Sequence, residues 1–278
     1  MRKPFLAALL VSAPAVADTS VPPAWTEAIR PFRLVGPVDY VGSEGIAAYL
    51  IRTPAGAILI DGTLEANAAM VRRNIEARGV PIRSVKWILI SHAHFDHAGA
   101  VAALARASGA KVAAGAGDVA ALAQGAQPGE TSYTPPAYPP VHVDRAIHDG
   151  DRLSLGGLTM AAIATPGHTP GCTSWSMRVT EKGRPLTVLF PCSVTVAGNR
   201  LVGNRAYPGI VADYRRSLAR LGAAKADVVL PAHPEVADVI GRARRGDLVD
   251  PTLLARIVAQ ARTDFDNEFK RQEARGGA

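Results

Sequence analysis

Aromatic residues make up only 5% of the 278 residues, so the core has to be mostly aliphatic. No apolar run reaches the length that a bilayer span needs, which excludes a transmembrane helix. A composition of 20% charged and 48% hydrophobic residues, with 26 Gly and 21 Pro, excludes a coiled coil, a collagen-like chain and a mostly disordered one. Basic residues are in excess, at a formal charge of +7, but they are scattered. The densest group, Arg242, Arg244 and Arg245, lies between Asp238 and Asp247 and reads as a solvated surface. Nucleic acid is therefore not an expected partner. The length suits one large domain or two small ones, with a sizeable core.

The first residues are built differently. Arg2 and Lys3 form a basic head, Phe5 to Val11 is apolar throughout, and Ala15-Val16-Ala17 offers a small-x-small cleavage site. This is the layout of a secretory signal peptide over residues 1–17. A buried first helix is the rival reading, and Pro4 and Pro14 argue against it. The expected mature chain is a single soluble domain, residues 18–278, exported to the periplasm, free of the membrane and monomeric. Its charge falls from +7 to +5 because Arg2 and Lys3 leave with the peptide.

Gly and Pro punctuate short strand signals at Arg33 to Val35, Tyr40-Val41, Ile46 to Ile51 and Ala57 to Ile60. A helix is predicted over 65–78, with Gly79 at its end, and another over Ala98 to Ser108. Between them Val85 to Ile90 reads as a buried strand. Five prolines between residues 128 and 140 make 125–140 a loop. Strands resume at Val141 to Ile147, Arg152 to Leu155, Leu158 to Ala164, Cys172 to Val179 and Leu186 to Phe190. A helix over Val211 to Leu221 and a strand over Asp227 to Leu230 follow. Asp250-Pro251 then opens a last helix with Leu253, Leu254, Ile257, Val258 and Phe265 as its apolar positions. The two halves share an element order, which suggests two sheets back to back with helices outside, an α/β architecture.

Three of the seven histidines fall within six residues, in Ser91-His92-Ala93-His94-Phe95-Asp96-His97. The run follows a buried strand and precedes a helix, so rigid elements hold it on both sides. His92 and His94 can point the same way from an extended segment. Three imidazoles and one carboxylate suit a borderline-soft divalent metal such as zinc. A surface loop with chance histidines is the alternative, and the density of the cluster outweighs it. His168 and His233 each follow a strand signal in a turn-rich segment. Together the six residues are enough for two metals with three protein ligands each. His142 and His148 read as surface residues.

These residues resemble the metallo-β-lactamase superfamily. His92-x-His94-x-Asp96-His97 is similar to its signature, and His168 and His233 to its two later ligands. The resemblance runs over roughly residues 30–275. It implies an αββα sandwich of two mixed sheets with outer helices and a metal site at one sheet edge. Glyoxalase II-like hydrolases and lactonases of the superfamily usually carry a metal-bridging Asp in the second half. Here that place reads Leu189-Phe190-Pro191-Cys192-Ser193, without a carboxylate. The pattern looks like the third subclass of metallo-β-lactamases, subclass B3. The resemblance then implies two zinc ions, one held by His92, His94 and His168, the other by Asp96, His97 and His233. Asp96 would also orient the nucleophile.

By the same resemblance Ser193 and Thr195 would bind the carboxylate of a β-lactam. Asn199 would face its opened carbonyl or shape the pocket. Ordinary loop hydroxyls are the plainer reading of Ser193 and Thr195. Cys172 and Cys192, an even count in an exported chain, favour a disulfide. Cys192 as a zinc ligand is the rival reading. Asp61 is either a turn residue or the partner of a ligand histidine. Trp25 and the 125–140 loop are pocket walls or plain surface.

The function implied is zinc-dependent hydrolysis of β-lactams without a covalent acyl-enzyme, giving resistance to penicillins, cephalosporins and carbapenems. Neither Ser91 nor Ser193 sits in a Ser-x-x-Lys arrangement. The alternatives are an exported dizinc hydrolase acting on a lactone or thioester, a nucleic-acid processing enzyme of the superfamily, and a non-catalytic metal-binding protein.

Overall fold

The computed structural model describes residues 21–276, and the expected signal peptide lies outside them. Strands β1 (Phe32–Val35), β2 (Val38–Tyr40), β3 (Tyr49–Thr53), β4 (Gly56–Ile60), β5 (Val85–Leu89), β6 (Lys111–Gly115) and β7 (Arg145–Ile147) pair in that order into one sheet. Its first four strands run antiparallel, and β4 to β7 run parallel. The second sheet has the order β12 (Val228–Val229), β11 (Arg184–Phe190), β10 (Thr173–Glu181), β9 (Leu158–Ala164) and β8 (Arg152–Leu155). It is antiparallel except for the β11–β12 pair. Both sheets are therefore mixed, and flanking helices complete the αββα sandwich.

Side-chain alternation sorts the layers. On β3 and β4, Tyr49, Ile51, Ile58 and Ile60 join the core shared with Trp175, Met177 and Phe190 of the other sheet. Leu50 and Leu59 point the opposite way. They pack with Val71 and Ile75 of α1 (Ala68–Ala77) and Leu104 of α3 (Val101–Ser108). Outside the second sheet lie α5 (Ile210–Ala223) and α7 (Leu253–Gly276), where Tyr214 meets Phe265 at 5.1 Å between ring centroids. No helix among the described residues is long and apolar enough to cross a membrane.

Several boundaries differ from the sequence reading. β2 stops at Tyr40 and β3 starts at Tyr49. The residues between form an arch in which Val41 N–H donates to Ala48 O and Ser43 N–H to Ile46 O. The strand expected from Val141 shrinks to β7 because Val141 N–H is taken by Leu122 O and Asp144 N–H by Val112 O. The helix expected over Ala98 to Ser108 is split into a single turn, α2 (Phe95–Ala98), and α3. Three elements carried no readable signal: β6, α4 (Val119–Gln124) and α6 (Val239–Arg245). The 125–140 segment forms no helix or strand, and Asp250 accepts the Thr252 N–H as an N-cap should.

Candidate metal centre and active site

The parallel strands β4 and β5 end side by side, and that edge builds the site. Asp61, just past β4, accepts the Ser91 backbone N–H and the Ser91 hydroxyl, both at 2.7 Å. Ser91 Oγ in turn lies 2.9 Å from His92 Nδ1, leaving Nε2 of His92 as its free nitrogen. Asp61 Oδ2 is also 3.5 Å from His97 Nδ1. Asp61 thus holds the Ser91 that faces His92 and lies beside His97. Its positive φ of 59° is part of the same tight corner.

His94 ends the extended stretch, and α2 begins at Phe95, so Asp96 and His97 sit in its single turn. The second sheet contributes His168, after β9, and His233, after β12. His92, His94 and His168 form one group, and Asp96, His97 and His233 another; the candidate ligand atoms of each lie within 4.8 Å of one another. His94 Nδ1 is 3.1 Å from His168 Nε2. Asp96 Oδ2 is 3.1 Å from His97 Nε2 and 3.2 Å from His233 Nε2.

Those distances fit a metal. Two nitrogens on one tetrahedral zinc stand about 3.3 Å apart. Nitrogen lone pairs facing each other at such range repel unless a proton or cation lies between them. His92 Nε2 is buried in this cluster with no hydrogen-bond partner, a cost that a cation relieves. Burial, reinforced by the neighbouring imidazoles, holds His92 and His94 well below the usual histidine range. Burial likewise lowers His168 to about 4. All three are then neutral at neutral pH, the form in which an imidazole can bind a metal. Burial works against the charge of Asp96, but His97 and His233 outweigh it and keep the carboxyl well below its ordinary value. Burial also opposes charge on His97, yet Asp96 and Asp61 push it up to about 10.

Asp118 is a residue the sequence reading missed. It is buried, with Oδ2 accepting Ala93 N–H at 2.8 Å and Thr169 Oγ1–H at 2.7 Å, and Oδ1 accepting Gly171 N–H at 2.7 Å. It therefore ties the His92–His94 segment to the His168 segment. Glycine permits the approach: a Cβ on Gly171 would fall 2.4 Å from Asp118 N, and one on Gly115 would fall 1.9 Å from Gly171 O. Tyr214 was missed as well, and its hydroxyl donates to Thr195 O at 2.7 Å. Both were illegible because a single Asp before a helix reads as a cap and a single Tyr on an amphipathic helix reads as core.

Cys172 and Cys192 form a disulfide, with Cα atoms 5.8 Å apart, which removes Cys192 as a metal ligand. The bridge clamps the His168 segment to the segment carrying Ser193.

A cavity of about 300 Å³ opens over the two groups. His94, Asp96, His168 and His233 line it, with Trp25, Tyr133, Ser193 and Thr195 in its walls. Trp25 and, from the 125–140 loop, Tyr133 are therefore pocket walls. Trp25 lies 5.5 Å from the His233 ring, and its carbonyl accepts from Asn67 Nδ2 at 2.8 Å. Ser193 Oγ and Thr195 Oγ1 are 3.0 Å apart.

Asn199 lies inside the protein. It is 1% exposed and absent from the cavity wall, and its Nδ2 donates to His168 O at 2.9 Å. Its amide therefore fastens the backbone of His168, a residue of the cavity wall. His142 and His148 are on the surface, with side chains 87% and 74% exposed. Arg245 is paired with Asp238 at 2.8 Å on the exposed surface, whereas Arg242, with its side chain only 15% exposed, turns inward toward Asp250 at 3.5 Å.

A sandwich of two mixed sheets with a histidine-rich site at one edge defines a class of metallo-hydrolases, and comparison agrees. The profile of the metallo-beta-lactamase superfamily matches residues 41–233, and the chain belongs to that superfamily. It is similar to the crystal structure of BJP-1, a subclass B3 metallo-beta-lactamase of Bradyrhizobium japonicum. The two share 41% identity at a TM-score of 0.87, over 91% of this chain and 98% of that one. Native FEZ-1 metallo-beta-lactamase from Legionella gormanii shares 35% identity at a TM-score of 0.84, over 89% and 98%. Among curated proteins the chain is similar to a hydroxyacylglutathione hydrolase of Acidiphilium cryptum. That match has 27% identity over 207 residues, 73% of this chain and 69% of that protein. A second one, from Anaeromyxobacter dehalogenans, is 34% identical over 140 residues, which span only 43% of its length.

Proposed function

We propose that the protein is an exported dizinc β-lactamase that opens the β-lactam amide without a covalent acyl-enzyme. The observation that carries this reading is the make-up of the two ligand groups. They are complete with five histidines and Asp96, while the 189–193 stretch, where a bridging carboxylate would be expected, offers none, and its Cys192 is locked in a disulfide. The 41% identity to BJP-1 over nearly its whole length supports the same reading.

His92, His94 and His168 would hold one zinc, and Asp96, His97 and His233 the other. Bound there, the pair would supply Lewis-acid activation of a water and of the substrate carbonyl. The protein's own contribution is positioning. Asp96 directs its carboxylate between His97 and His233 and fixes where a water can donate. Ser193 and Thr195, side by side on the wall, offer hydroxyls to the carboxylate that β-lactams carry beside the ring. Trp25, Tyr133 and Val194 surround the site with apolar surface, which strengthens each polar contact inside it. On this reading residues 1–17 are a signal peptide, and the mature chain, from near Asp18, works in the periplasm as a monomer.

The second reading is a thioester hydrolase, favoured by the curated hydroxyacylglutathione hydrolases that the chain resembles. One experiment separates the two. Purified protein lacking residues 1–17 is assayed on a carbapenem, a cephalosporin and a hydroxyacylglutathione, with and without a chelator. Zinc-restorable β-lactam turnover is expected. Turnover of the thioester alone would replace the β-lactamase reading by the second one.

A further inference from the structure

The cavity over the histidines does not end at Thr195. It continues into a groove of about 500 Å³ between the 194–198 segment and α7. Thr195, Val236 and Ile257 belong to the walls of both. Ala261 and Phe265, both buried, form the floor of the groove. Ile257, Ala261, Asp264, Phe265 and Glu268 fall on one face of α7 by their spacing.

Two further observations point to a ligand. Among the described residues three large apolar side chains are exposed, namely Tyr133, Val236 and Val249. Tyr133 and Val236 both line the cavity, and Val236 stands where cavity and groove meet. Exposed apolar surface gathered at one mouth marks a contact surface. The second observation is charge. On the rim, Arg271 is neutralised by an ion pair with Glu268. Asp264 accepts from Gln260 Nε2 at 2.9 Å and has no basic partner among the described residues. The groove is thus apolar along its length and carries one uncompensated negative charge at its edge.

We propose that this groove is the subsite for the distal substituent of the substrate, and that it prefers an apolar substituent ending in a positive charge. The inference rests on the hydrolytic reading of the cavity. A substrate held over the histidines has one substituent directed past Thr195 and Val236. Its apolar stem lies along Ile257, Ala261 and Phe265, and its cationic end reaches Asp264. Asp264 is a specificity-determining residue and takes no part in the bond that breaks.

The test uses three cephalosporins with the same ring and stem, whose distal ends are a quaternary ammonium, a neutral group and a carboxylate. In the zinc-loaded protein the cationic compound should have a kcat/KM about two- to fivefold above the anionic one, the range an exposed ion pair supports. The ratio should approach one in Asp264→Asn. It should stay in Asp266→Asn, a control for charge on the same helix. Groove occupancy is read separately, from amide shifts of isotope-labelled protein titrated with the free distal group. Shifts at residues 257–268 are expected. Shifts confined to the histidine segments, or a ratio that Asp264→Asn leaves intact, overturn the proposal. Shifts at 257–268 without any cephalosporin turnover uphold the subsite and remove the β-lactamase reading instead.

Discussion

His168 and Thr195 are joined by a hydrogen bond from the imidazole Nδ1–H to the backbone carbonyl, at 2.7 Å. A carbonyl can only accept, so the proton of His168 is fixed on Nδ1 and Nε2 is turned toward His94. Tyr214 donates to the same carbonyl. The wall that carries Thr195 is therefore the wall that aligns a candidate ligand. Tyr214→Phe should weaken zinc binding about tenfold and cost about 1 kcal/mol of stability. Competition with a chromophoric chelator, beside urea unfolding, measures both. A stability loss with unchanged zinc affinity would reduce Tyr214 to a core residue.

Asp118→Ala should do more damage. It leaves Ala93 N–H, Thr169 hydroxyl and Gly171 N–H without their acceptor in a buried place. An unsatisfied buried donor costs about 1–3 kcal/mol, so a loss of about 3 kcal/mol or more is expected. Asp118→Asn keeps the shape but turns an amide N–H toward a donor, and should recover only part of the loss. Thermal unfolding of the two variants makes the comparison, and full recovery in Asn would contradict the three-donor geometry.

The legible part of this molecule was the part with its chemistry concentrated in sequence. His92 to His97 announces itself because four ligating side chains rarely gather by chance within six residues of one loop. Strands rich in Val, Ile and Leu, such as β4 and β5, were equally plain. β6 was not, since Lys-Val-Ala-Ala-Gly has too little β-branched character to declare a strand. It forms because β5 and β7 offer hydrogen bonds on both sides. The setting of Asn199 was illegible for a different reason. Loop residues alternate between facing in and facing out, and the packing of Tyr214 and His168 decides which. Asp61 and Asp118 act across 30 and 53 residues of chain, as in Asp61–Ser91 and Asp118–Gly171, and no local pattern encodes such reach.

Stability of the metal-free protein should pass through a maximum with pH. Burial lowers His168 to about 4, against about 6.5 in an unfolded chain. Below pH 6.5 the unfolded chain takes up a proton that the fold refuses. The contribution is full above that pH and is lost as pH falls through 4, at a cost of about 3 kcal/mol. His92 and His94 act in the same direction. His97, pushed up to about 10, acts in the opposite one. Its contribution is present below pH 6.5 and is lost as pH rises through 10. Urea unfolding of chelator-treated protein from pH 4 to 10 should therefore peak near 6.5, and a flat profile would contradict the buried neutral imidazoles.

The disulfide closes a loop of 20 residues and should contribute about 3 kcal/mol through the entropy of the unfolded chain. The double variant Cys172→Ser with Cys192→Ser should lose about that much. Because the bridge also holds the Ser193 segment, the proposed β-lactamase reading expects KM for a β-lactam to rise more than kcat falls. Denaturant unfolding and steady-state kinetics on the same preparation decide whether the bridge serves the fold alone.

Both ligand groups straddle the sandwich. His92, His94, Asp96 and His97 come from the sheet that ends with β7, while His168 and His233 come from the sheet that begins with β8. Neither half of the chain owns three members of either group. If the backbone were cut near Gly150, each fragment would carry an incomplete set of candidate ligands, and a metal held there would clasp two pieces that already share a hydrophobic core.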